Sequence, residues 1–391
     1  MARIAMVVSN GHAPDPRVAK EAASLAEAGH ELIVYAFDRG RELPELEQAG
    51  PHVRIERVRP PMQMSGSLLS TGLGLAYFRA EVRRRLVRAR PDAVHCHDQD
   101  TCAVGLWWKQ RGARTARLPR GRFVFDAHDL YWTWALLPAP DARWRKTLAT
   151  ALRASHRRYA RAADLLVTVT EGTPAHPGTA EIYRDWGCAP IVVWNAPMPI
   201  AAVRPLPERF TVGYIGNVRE PAMFERLLSA IALIDPGQRP ALRIAGSGRS
   251  AAQVRSLVAD RGAELGIEAR VTGAFHAGEV PALMAECSVQ YCVYPTRRGN
   301  IDRAMPVKLL EAVASGRRVI ANADTLMGEY IADREWGWTV AEDDVAALAG
   351  ALRAARAQCA AEQQDVPRLQ APPLWPAQGQ RLVAAYERLL Q

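Results

Sequence analysis

Short apolar runs alternate with longer segments of helical periodicity along almost the whole chain, and many of the runs end in glycine or polar residues. This alternation is typical of βα units, which build parallel sheets covered by helices. It predicts strands near residues 3–9, 31–37, 53–58, 93–96, 123–126, 164–169 and 191–194, and then 210–215, 242–245, 269–272, 288–293 and 318–321. We therefore expect an α/β protein with parallel sheets.

A proline-rich segment separates the two sets of strands. Residues 196–209 contain four prolines and little periodicity, which indicates a linker. The 391 residues are enough for two domains. We expect doubly wound domains over residues 1–195 and 210–374, with a cleft between the carboxyl ends of their sheets. Residues 375–391 form an amphipathic segment, which we expect to be a helix that packs back on the first domain.

Composition and charge limit the expected cellular location and the kinds of binding partner. No apolar stretch reaches the roughly 20 residues that span a bilayer, and the N-terminus resembles a strand more than a leader. The six cysteines show no paired spacing, so we expect a cytoplasmic protein with reduced cysteines. Of the net charge of +9, residues 1–200 carry 28 Lys and Arg against 20 Asp and Glu. Basic runs at 79–90 and 143–161, with apolar residues around the first, leave open a peripheral contact with the inner face of a membrane. No nucleic-acid reading module accompanies them.

Polar residues follow several predicted strands of the first half. Gly11 lies in the first βα turn, where a glycine lets the backbone approach a phosphate or a sugar, or simply makes a turn. His95, His97 and Asp98 end another strand, and two histidines on one strand face leave open a metal site of the hydrolase type. His128 follows the strand at 123–126, at the expected cleft. It is either a functional residue or a structural histidine.

The most specific pattern in the second half is Pro306-Val-Lys308-Leu-Leu-Glu311-Ala-Val-Ala-Ser-Gly316. Proline and glycine delimit a helix, on which Lys308 and Glu311 share one face near the positive N-terminal end. A cation there suits a diphosphate, and the carboxylate can accept hydrogen bonds from two ribose hydroxyls. A surface ion pair is the alternative.

Together, five groups of residues resemble the family 4 retaining glycosyltransferases of the GT-B fold. The groups are Asp15-Pro16-Arg17-Val18-x-Lys20-Glu21-x3-Leu25-x3-Gly29-His30, His95-x-His97-Asp98, Asp126-Ala-His128-Asp129-Leu130-Tyr131, Leu242-Arg-Ile-Ala-Gly246-Ser-Gly248 and Pro306-x-Lys308-x2-Glu311-x4-Gly316. They occur in the family's order and span nearly the whole chain. The resemblance implies two Rossmann-like domains facing a central cleft.

The resemblance also implies a reaction. A sugar would move from a nucleotide diphosphate sugar, UDP or GDP being the expected nucleotide, to an acceptor with retention of configuration and without a metal or other cofactor. The leaving diphosphate would help to deprotonate the acceptor on the same face. The first domain would bind the acceptor, a small molecule, a glycan or a lipid-linked compound, and the second domain would bind the donor. A GT-B epimerase or an inactive nucleotide-binding homologue remains an alternative.

Roles follow residue by residue from the same resemblance. The catalytic residues would be His128, Arg219 and Lys308; donor-nucleotide contacts would come from Gly11, Gly216, Arg219, Gly246, Lys308 and Glu311; acceptor contacts would come from His97, Asp98, Asp129, Trp132 and Trp134. The family's usual lysine after Arg219 is not evident, and Arg226 is a possible substitute. His128 would also contact the donor sugar.

The sequence departs from the family at one position. Family members commonly have a glutamate eight residues before the one that corresponds to Glu311, and here that position is Arg303. Either Asp302 replaces that carboxylate from one residue earlier, or the guanidinium changes the choice of donor sugar. A solvent-exposed Arg303 is the third alternative.

Overall fold

Parallel strands form two separate sheets in the part of the chain that the computed structural model describes, namely residues 1–13, 15–61, 64, 68–114, 121–137, 139–296, 299–362 and 369–391. The chain divides into two units. The first contains Met1–Glu171, Thr179–Trp194 and Pro376–Gln391, and the second contains Gly172–Gly178 and Asn195–Trp375. The last helix thus belongs to the first unit, and a short segment before the proline-rich stretch belongs to the second.

The first sheet has eight strands in the order β3-β4-β2-β1-β5-β6-β7-β8. They are β1 (Arg3–Val8), β2 (Glu31–Phe37), β3 (Leu46–Gly50), β4 (Val53–Val58), β5 (Ala93–His97), β6 (Arg122–Ala127), β7 (Leu165–Thr168) and β8 (Ile191–Val192). All neighbouring pairs are parallel except β3 with β4. Seven of these strands were predicted from the sequence. The exposed β3 was not, because Leu-Glu-Gln-Ala-Gly has no apolar alternation.

The helices of the first unit cover this sheet. They are α1 (Pro16–Glu27), α2 (Leu68–Ala89), α3 (Cys102–Arg114), α4 (Tyr131–Ala135), α5 (Arg143–Ala162), α6 (Thr179–Asp185) and the last helix of the chain, α13 (Trp375–Leu390). Asp15 caps α1: its carboxylate accepts a hydrogen bond from the Val18 N–H, and Pro16 begins the helix. Gly29, with φ of 86°, follows its end.

The second sheet has six parallel strands in the order β11-β10-β9-β12-β13-β14. They are β9 (Thr211–Ile215), β10 (Ala241–Ala245), β11 (Ala269–Thr272), β12 (Val289–Cys292), β13 (Arg318–Asn322) and β14 (Gly337–Val340). The helices are α7 (Pro221–Ala232), α8 (Ala251–Leu265), α9 (Val280–Ala285), α10 (Val307–Ala314), α11 (Leu326–Asp333) and α12 (Val345–Ala361), with 3₁₀ turns at Pro236–Gln238, Ala277–Glu279 and Ile301–Arg303. The predicted α/β class is confirmed.

In each sheet there is one position from which the chain builds parallel strands outward in both directions. In the first sheet this place lies between β1 and β5, and in the second it lies between β9 and β12. Ligands of open parallel sheets bind outside the carboxyl ends of the strands at such a switch point. Two separate edges, one per unit, are therefore the places to look for function. Within the described residues, no helix combines the length and the apolar character needed to cross a membrane.

Candidate functional site

A buried arginine forms a hydrogen bond with the backbone of the turn after β1. Arg57 is 2% exposed, and its Nε donates to the Gly11 carbonyl over 2.8 Å. The Asn10 side chain accepts from the His12 N–H and donates to Asp15. His12, with φ of 51°, adopts the left-handed conformation of this turn. The part of the turn formed by Pro14 lies outside the described residues.

Asp98 fixes the loop that carries His128. One of its carboxylate oxygens accepts hydrogen bonds from the backbone N–H groups of His128 (3.0 Å) and Asp129 (3.1 Å). Asp98 has φ of 62°, in the left-handed region, and Thr101 bonds to its carbonyl. Asp98, which is predicted to contact the acceptor, therefore also has a structural role: it joins the ends of β5 and β6.

His128 lies against a buried carboxylate. Its Nε2 is 2.8 Å from Asp126 Oδ2, and its Nδ1 is 3.7 Å from Asp98 Oδ2. Burial alone would lower the pKa of His128, but the charges of Asp126 and Asp98 outweigh it and raise the pKa to about 9. Arg17 Nε, 2.9 Å from His128 Nε2, opposes that increase. The two carboxylates therefore favour the imidazolium form of His128.

Arg17 neutralises Asp126 from the other side. Its guanidinium lies 3.0 Å from Asp126 Oδ1 and donates to the Val193 carbonyl. Burial would raise the pKa of Asp126, but Arg17 and His128 hold it well below its usual range. Both side chains are almost inaccessible to solvent. The result is a buried triad of two cations around one carboxylate, with His128 as its partly exposed member.

A second layer of polar groups lies behind this triad. Glu21, His95, His97 and Asp126 are all buried and offer ligand atoms within 4.8 Å of one another. Asp98 of the proposed metal set is not among them. Arg17 already sits between the carboxylates, 3.0 Å from Glu21 Oε1. Burial, with the nearby Asp126 charge, raises the pKa of Glu21, and burial lowers the pKa of His97 to about 3. These four side chains and Arg17 together form a buried polar network.

The last helix reaches this layer. Tyr386 of α13 is fully buried, and its hydroxyl lies 2.9 Å from His95 Nδ1. The C-terminal segment thus supplies a polar side chain to the interior of the first unit.

The two tryptophans proposed as an acceptor wall lie on or beside the core. Trp132 packs edge-on against His156 at 5.0 Å and contacts Trp186 at 5.6 Å between ring centroids. Trp132 and Trp134 are both half-buried on α4. Trp132 therefore has a packing role that the sequence alone did not indicate.

In the second unit, two glycine turns pass one another closely. Gly216 follows β9 with φ of 146°, and Gly246 follows β10 with φ of 152°. A Cβ on Gly246 would lie 1.8 Å from the Gly216 carbonyl oxygen, and one on Gly248 would lie 2.2 Å from the Val218 oxygen. Hydrogen bonds from Gly216 to Ala245 and from Val218 to Ser247 join the turns. Only glycine fits here.

Lys308 lies beside these turns. Its Nζ is 4.0 Å from the centre of the Tyr214 ring, a cation–π contact, and a Cβ on Gly216 would be 2.6 Å from the same nitrogen. Pro306 caps α10, and Lys308 and Glu311 are half-buried on the face opposite Leu309 and Leu310. Lys308 and Gly216 are thus brought together, as expected for a shared site.

The other proposed cations of this unit have different surroundings. Arg219 is exposed, and its carbonyl accepts a hydrogen bond from Ser250. Arg226, the suggested substitute for a missing lysine, is already paired with Glu342 (2.9 Å) and Asp343 (3.0 Å). Glu342 in turn accepts hydrogen bonds from the Thr296 N–H and hydroxyl. Arg226 therefore anchors the loop after β12.

Asp302 and Arg303 lie in the 3₁₀ turn before α10. Arg303 is half-buried and donates to the Gly299 carbonyl over 3.1 Å, so it does not extend freely into solvent. Burial raises the pKa of Asp302. Arg297 and Arg298 of the same stretch lie outside the described residues.

Sequence reasoning missed Asp126, Arg17 and Glu21 as parts of the site. A signal was present: Arg17 and Glu21 fall on the face of α1 that also carries Val18, Ala22 and Leu25, and charged residues on an apolar helix face require buried partners. The partner was not identifiable, because Asp126 is 109 positions away from Arg17.

Two family models match successive parts of the chain. The model described as "Glycosyl transferase 4-like domain" matches residues 13–193, and the model "Glycosyl transferases group 1" matches residues 209–357. Together they account for most of both units. No curated protein sequence shows significant similarity to the chain.

Solved structures agree over the full length. Sucrose-phosphate synthase from Thermosynechococcus elongatus matches with a TM-score of 0.74 and 18% identity, covering 100% of this chain and 99% of its own. The E. coli trehalose-6-phosphate protein bound with UDP-2-fluoro glucose matches with 0.67 and 14%, covering 100% and 99%. Anabaena HepE in complex with UDP-glucose matches with 0.64 and 14%, covering 99% and 100%. At these identities the structures establish the fold, and with the two family models they show that the chain belongs to the family 4 glycosyltransferases of the GT-B fold.

Proposed function

We propose that this glycosyltransferase moves a sugar from a nucleotide diphosphate sugar to an acceptor hydroxyl, with retention of configuration and without a metal ion. The observation that carries the proposal is the constellation at the switch point of the second sheet: two turns where only glycine fits, with the Lys308 ammonium beside them. A diphosphate needs close backbone approach and a cation, and this edge offers both.

The second unit would bind the donor nucleotide. The glycine turns at Gly216 and Gly246 would let the backbone approach the diphosphate, and Lys308 and the N-terminus of α10 would supply positive charge. Glu311, one turn further on the same face, would accept hydrogen bonds from the two ribose hydroxyls. Arg219, which is exposed, would complete the charge around the phosphates.

The first unit would contribute His128, and with it the turn at Gly11. The donor sugar would contact the imidazolium, whose charge and orientation are set by Asp126 and Asp98. A fixed cation is worth more there than in water, because it needs no reorganisation when charge develops on the leaving group.

In the proposed step, the bond between the anomeric carbon and the phosphate oxygen breaks, and the acceptor oxygen bonds to the same carbon on the same face. The acceptor proton passes to the departing phosphate oxygen. The products are the glycoside and the nucleoside diphosphate. No nucleophilic side chain is required, so the roles of Lys308, Arg219 and His128 are electrostatic.

UDP is the first nucleotide to test, with GDP as the alternative. Two proteins of similar fold carry UDP-glucose or UDP-2-fluoro glucose in their structures, which supports this choice. The identity of the sugar would depend on Asp302 and Arg303. The acceptor, a small molecule, a glycan or a lipid-linked compound, would meet the first unit near His97, Asp98, Asp129 and Trp134.

The decisive experiment is a thermal-shift screen of UDP, GDP, dTDP and ADP and their sugars. A ligand at 100 times its dissociation constant adds about 2.7 kcal/mol of stability. The donor that binds is then incubated with candidate acceptors in the presence of a chelator, and the anomeric configuration of the product is read by NMR. An inverted product, or activity that the chelator abolishes, would contradict the mechanism.

The same screen separates the alternatives. An epimerase would change the nucleotide sugar without an acceptor, and an inactive homologue would bind the nucleotide without turnover. The control variant is Arg226→Gln, which removes a cation that is already ion-paired.

A further inference from the structure

Exposed large apolar side chains of the first unit are concentrated on two helices. On α2, Leu69 is 74% exposed, Leu73 65% and Tyr77 41%; on α5, Trp144 is 54% exposed and Leu148 40%. Among the described residues of this unit, the others in this class are Met1 and Leu46. Each set recurs every fourth residue and so forms a stripe along one helix face. We call these five side chains the apolar face.

The stripe on α2 extends beyond what the core requires. The helix has 22 residues and is about 33 Å long, whereas a six-residue strand such as β4 is about 20 Å long. Its fully buried anchors, Phe78, Val82 and Leu86, begin only at the eleventh residue of the helix. The first turns therefore hold leucines in solvent at a cost that the fold of this unit does not explain.

The two stripes lie at the same edge of the unit. Helices α2 and α5 both pack against α3, and each begins where the chain leaves the carboxyl edge of the parallel sheet. Leu69 and Leu73 are in the first two turns of α2, and Trp144 and Leu148 are in the first two turns of α5. This is the edge that also carries Asp98 and His128.

Helix α5 is strongly basic. The helix contains seven Lys and Arg and no acidic residue. Arg143 precedes Trp144 and Arg158 lies on the same side of the helix; both are exposed and have no acidic partner among the described residues, whereas the exposed Arg153 and Arg157 lie on the other side. Arg145 lies over the Trp144 ring at 4.3 Å. Apolar side chains with an aromatic ring, bordered by unpaired cations, match the boundary between the headgroups and acyl chains of an anionic bilayer.

We propose that the apolar face docks on the surface of a membrane that contains anionic phospholipid. Leu69, Leu73, Trp144 and Leu148 enter the boundary region, and Arg143 and Arg158 of α5 contact the headgroups. A protein partner would need a complementary acidic groove, whereas a bilayer supplies both the apolar and the anionic part. The docked edge brings the acceptor side of the first unit to the membrane, which favours a lipid-linked acceptor. This last consequence rests on the proposed function, but the docking itself does not.

Cosedimentation with vesicles tests the docking. The full chain is mixed with vesicles of phosphatidylcholine alone or with phosphatidylglycerol added. We expect binding only to the anionic vesicles, with a steep loss as salt rises. The pair Leu73→Ser and Trp144→Ser should lower the partition coefficient at least tenfold, and Arg143→Gln with Arg158→Gln about fivefold per charge removed.

Matched controls come from the second unit. Leu233 is 58% exposed, and Arg255 is exposed on α8, so Leu233→Ser and Arg255→Gln change the same residue types away from the apolar face. Neither should alter vesicle binding, and circular dichroism verifies that every variant is folded. Equal binding to neutral and anionic vesicles, or full binding by the variant pairs, overturns the proposal. The face is instead an interface with a second copy of the chain if the wild type binds no vesicles and forms a dimer in sedimentation equilibrium that the Leu73→Ser and Trp144→Ser pair abolishes.

Discussion

At the carboxyl edge of the first sheet, charged side chains are packed into the interior: Arg17 and Asp126 are buried and hold His128 in its charged form. At the equivalent edge of the second sheet, the backbone itself is packed tightly, and Gly246 approaches Gly216 so closely that no side chain fits. The first arrangement depends on electrostatics in a dry environment and responds to pH. The second depends on steric fit and does not titrate. Each can be disturbed without touching the other.

The largest effect is expected from Gly246→Ala. The new Cβ would lie 1.8 Å from a backbone oxygen, on a residue whose φ of 152° is unfavourable for alanine. We expect the second unit to lose more than about 4 kcal/mol of unfolding free energy, measured by denaturant titration. The control is Gly266→Ala, at φ of 62° with nothing within 4 Å, which should cost only about 1 kcal/mol. Similar losses for both would show that the turns have room to shift.

Disrupting the charged network of Arg17, Asp126 and His128 should lower the unfolding free energy slightly less than Gly246→Ala does. Asp126→Asn removes one of the two buried carboxylates that lie 3.0 Å from Arg17, and loss of one member of a buried ion pair costs about 3 kcal/mol. The comparison is Glu81→Gln, which disturbs a surface pair with Arg84 and should cost under about 1 kcal/mol. If denaturation midpoints of the two variants agree, the network is not a source of stability.

The pH dependence separates the two edges directly. The pKa of His128 is raised from 6.5 to about 9, so its contribution is complete below pH 6.5 and is lost as pH rises through 9. We expect the unfolding free energy of the wild type to fall by on the order of 2 kcal/mol over this range relative to His128→Gln. His156→Gln should keep the slope, because the pKa of His156 is lowered by burial to about 3. A slope that survives in His128→Gln would assign it to other groups.

The smallest effect is expected on the affinity of the second unit for the nucleotide. Lys308→Met removes the cation beside the glycine turns and should weaken UDP binding about tenfold, as expected for a charge-assisted contact. Arg226→Gln should change the affinity less than twofold, because Glu342 and Asp343 already neutralise this guanidinium. Isothermal titration calorimetry on folded variants decides. Equal losses would mean that charge anywhere on this edge is sufficient.

Local patterns allowed much of the fold to be predicted, because caps, apolar runs and glycines act over a few residues. The helix delimited by Pro306 and Gly316 and the shared face of Lys308 and Glu311 were predicted in this way. Residues that depend on distant partners were not. Arg226 could be taken for a free phosphate ligand until Glu342, from another part of the chain, was placed beside it. The task of Asp98 as a backbone acceptor was hidden for the same reason.

The position of Tyr386 has a consequence for biosynthesis. The first unit contains Pro376–Gln391, but residues 195–375 are translated before that helix exists. At 5 to 20 residues per second, roughly 10 to 40 seconds pass between the two parts. During this time His95 lacks its hydroxyl partner, and the surface later covered by Leu382 and Tyr386 is open to water. A nascent chain therefore carries an unfinished first unit until its last helix leaves the ribosome.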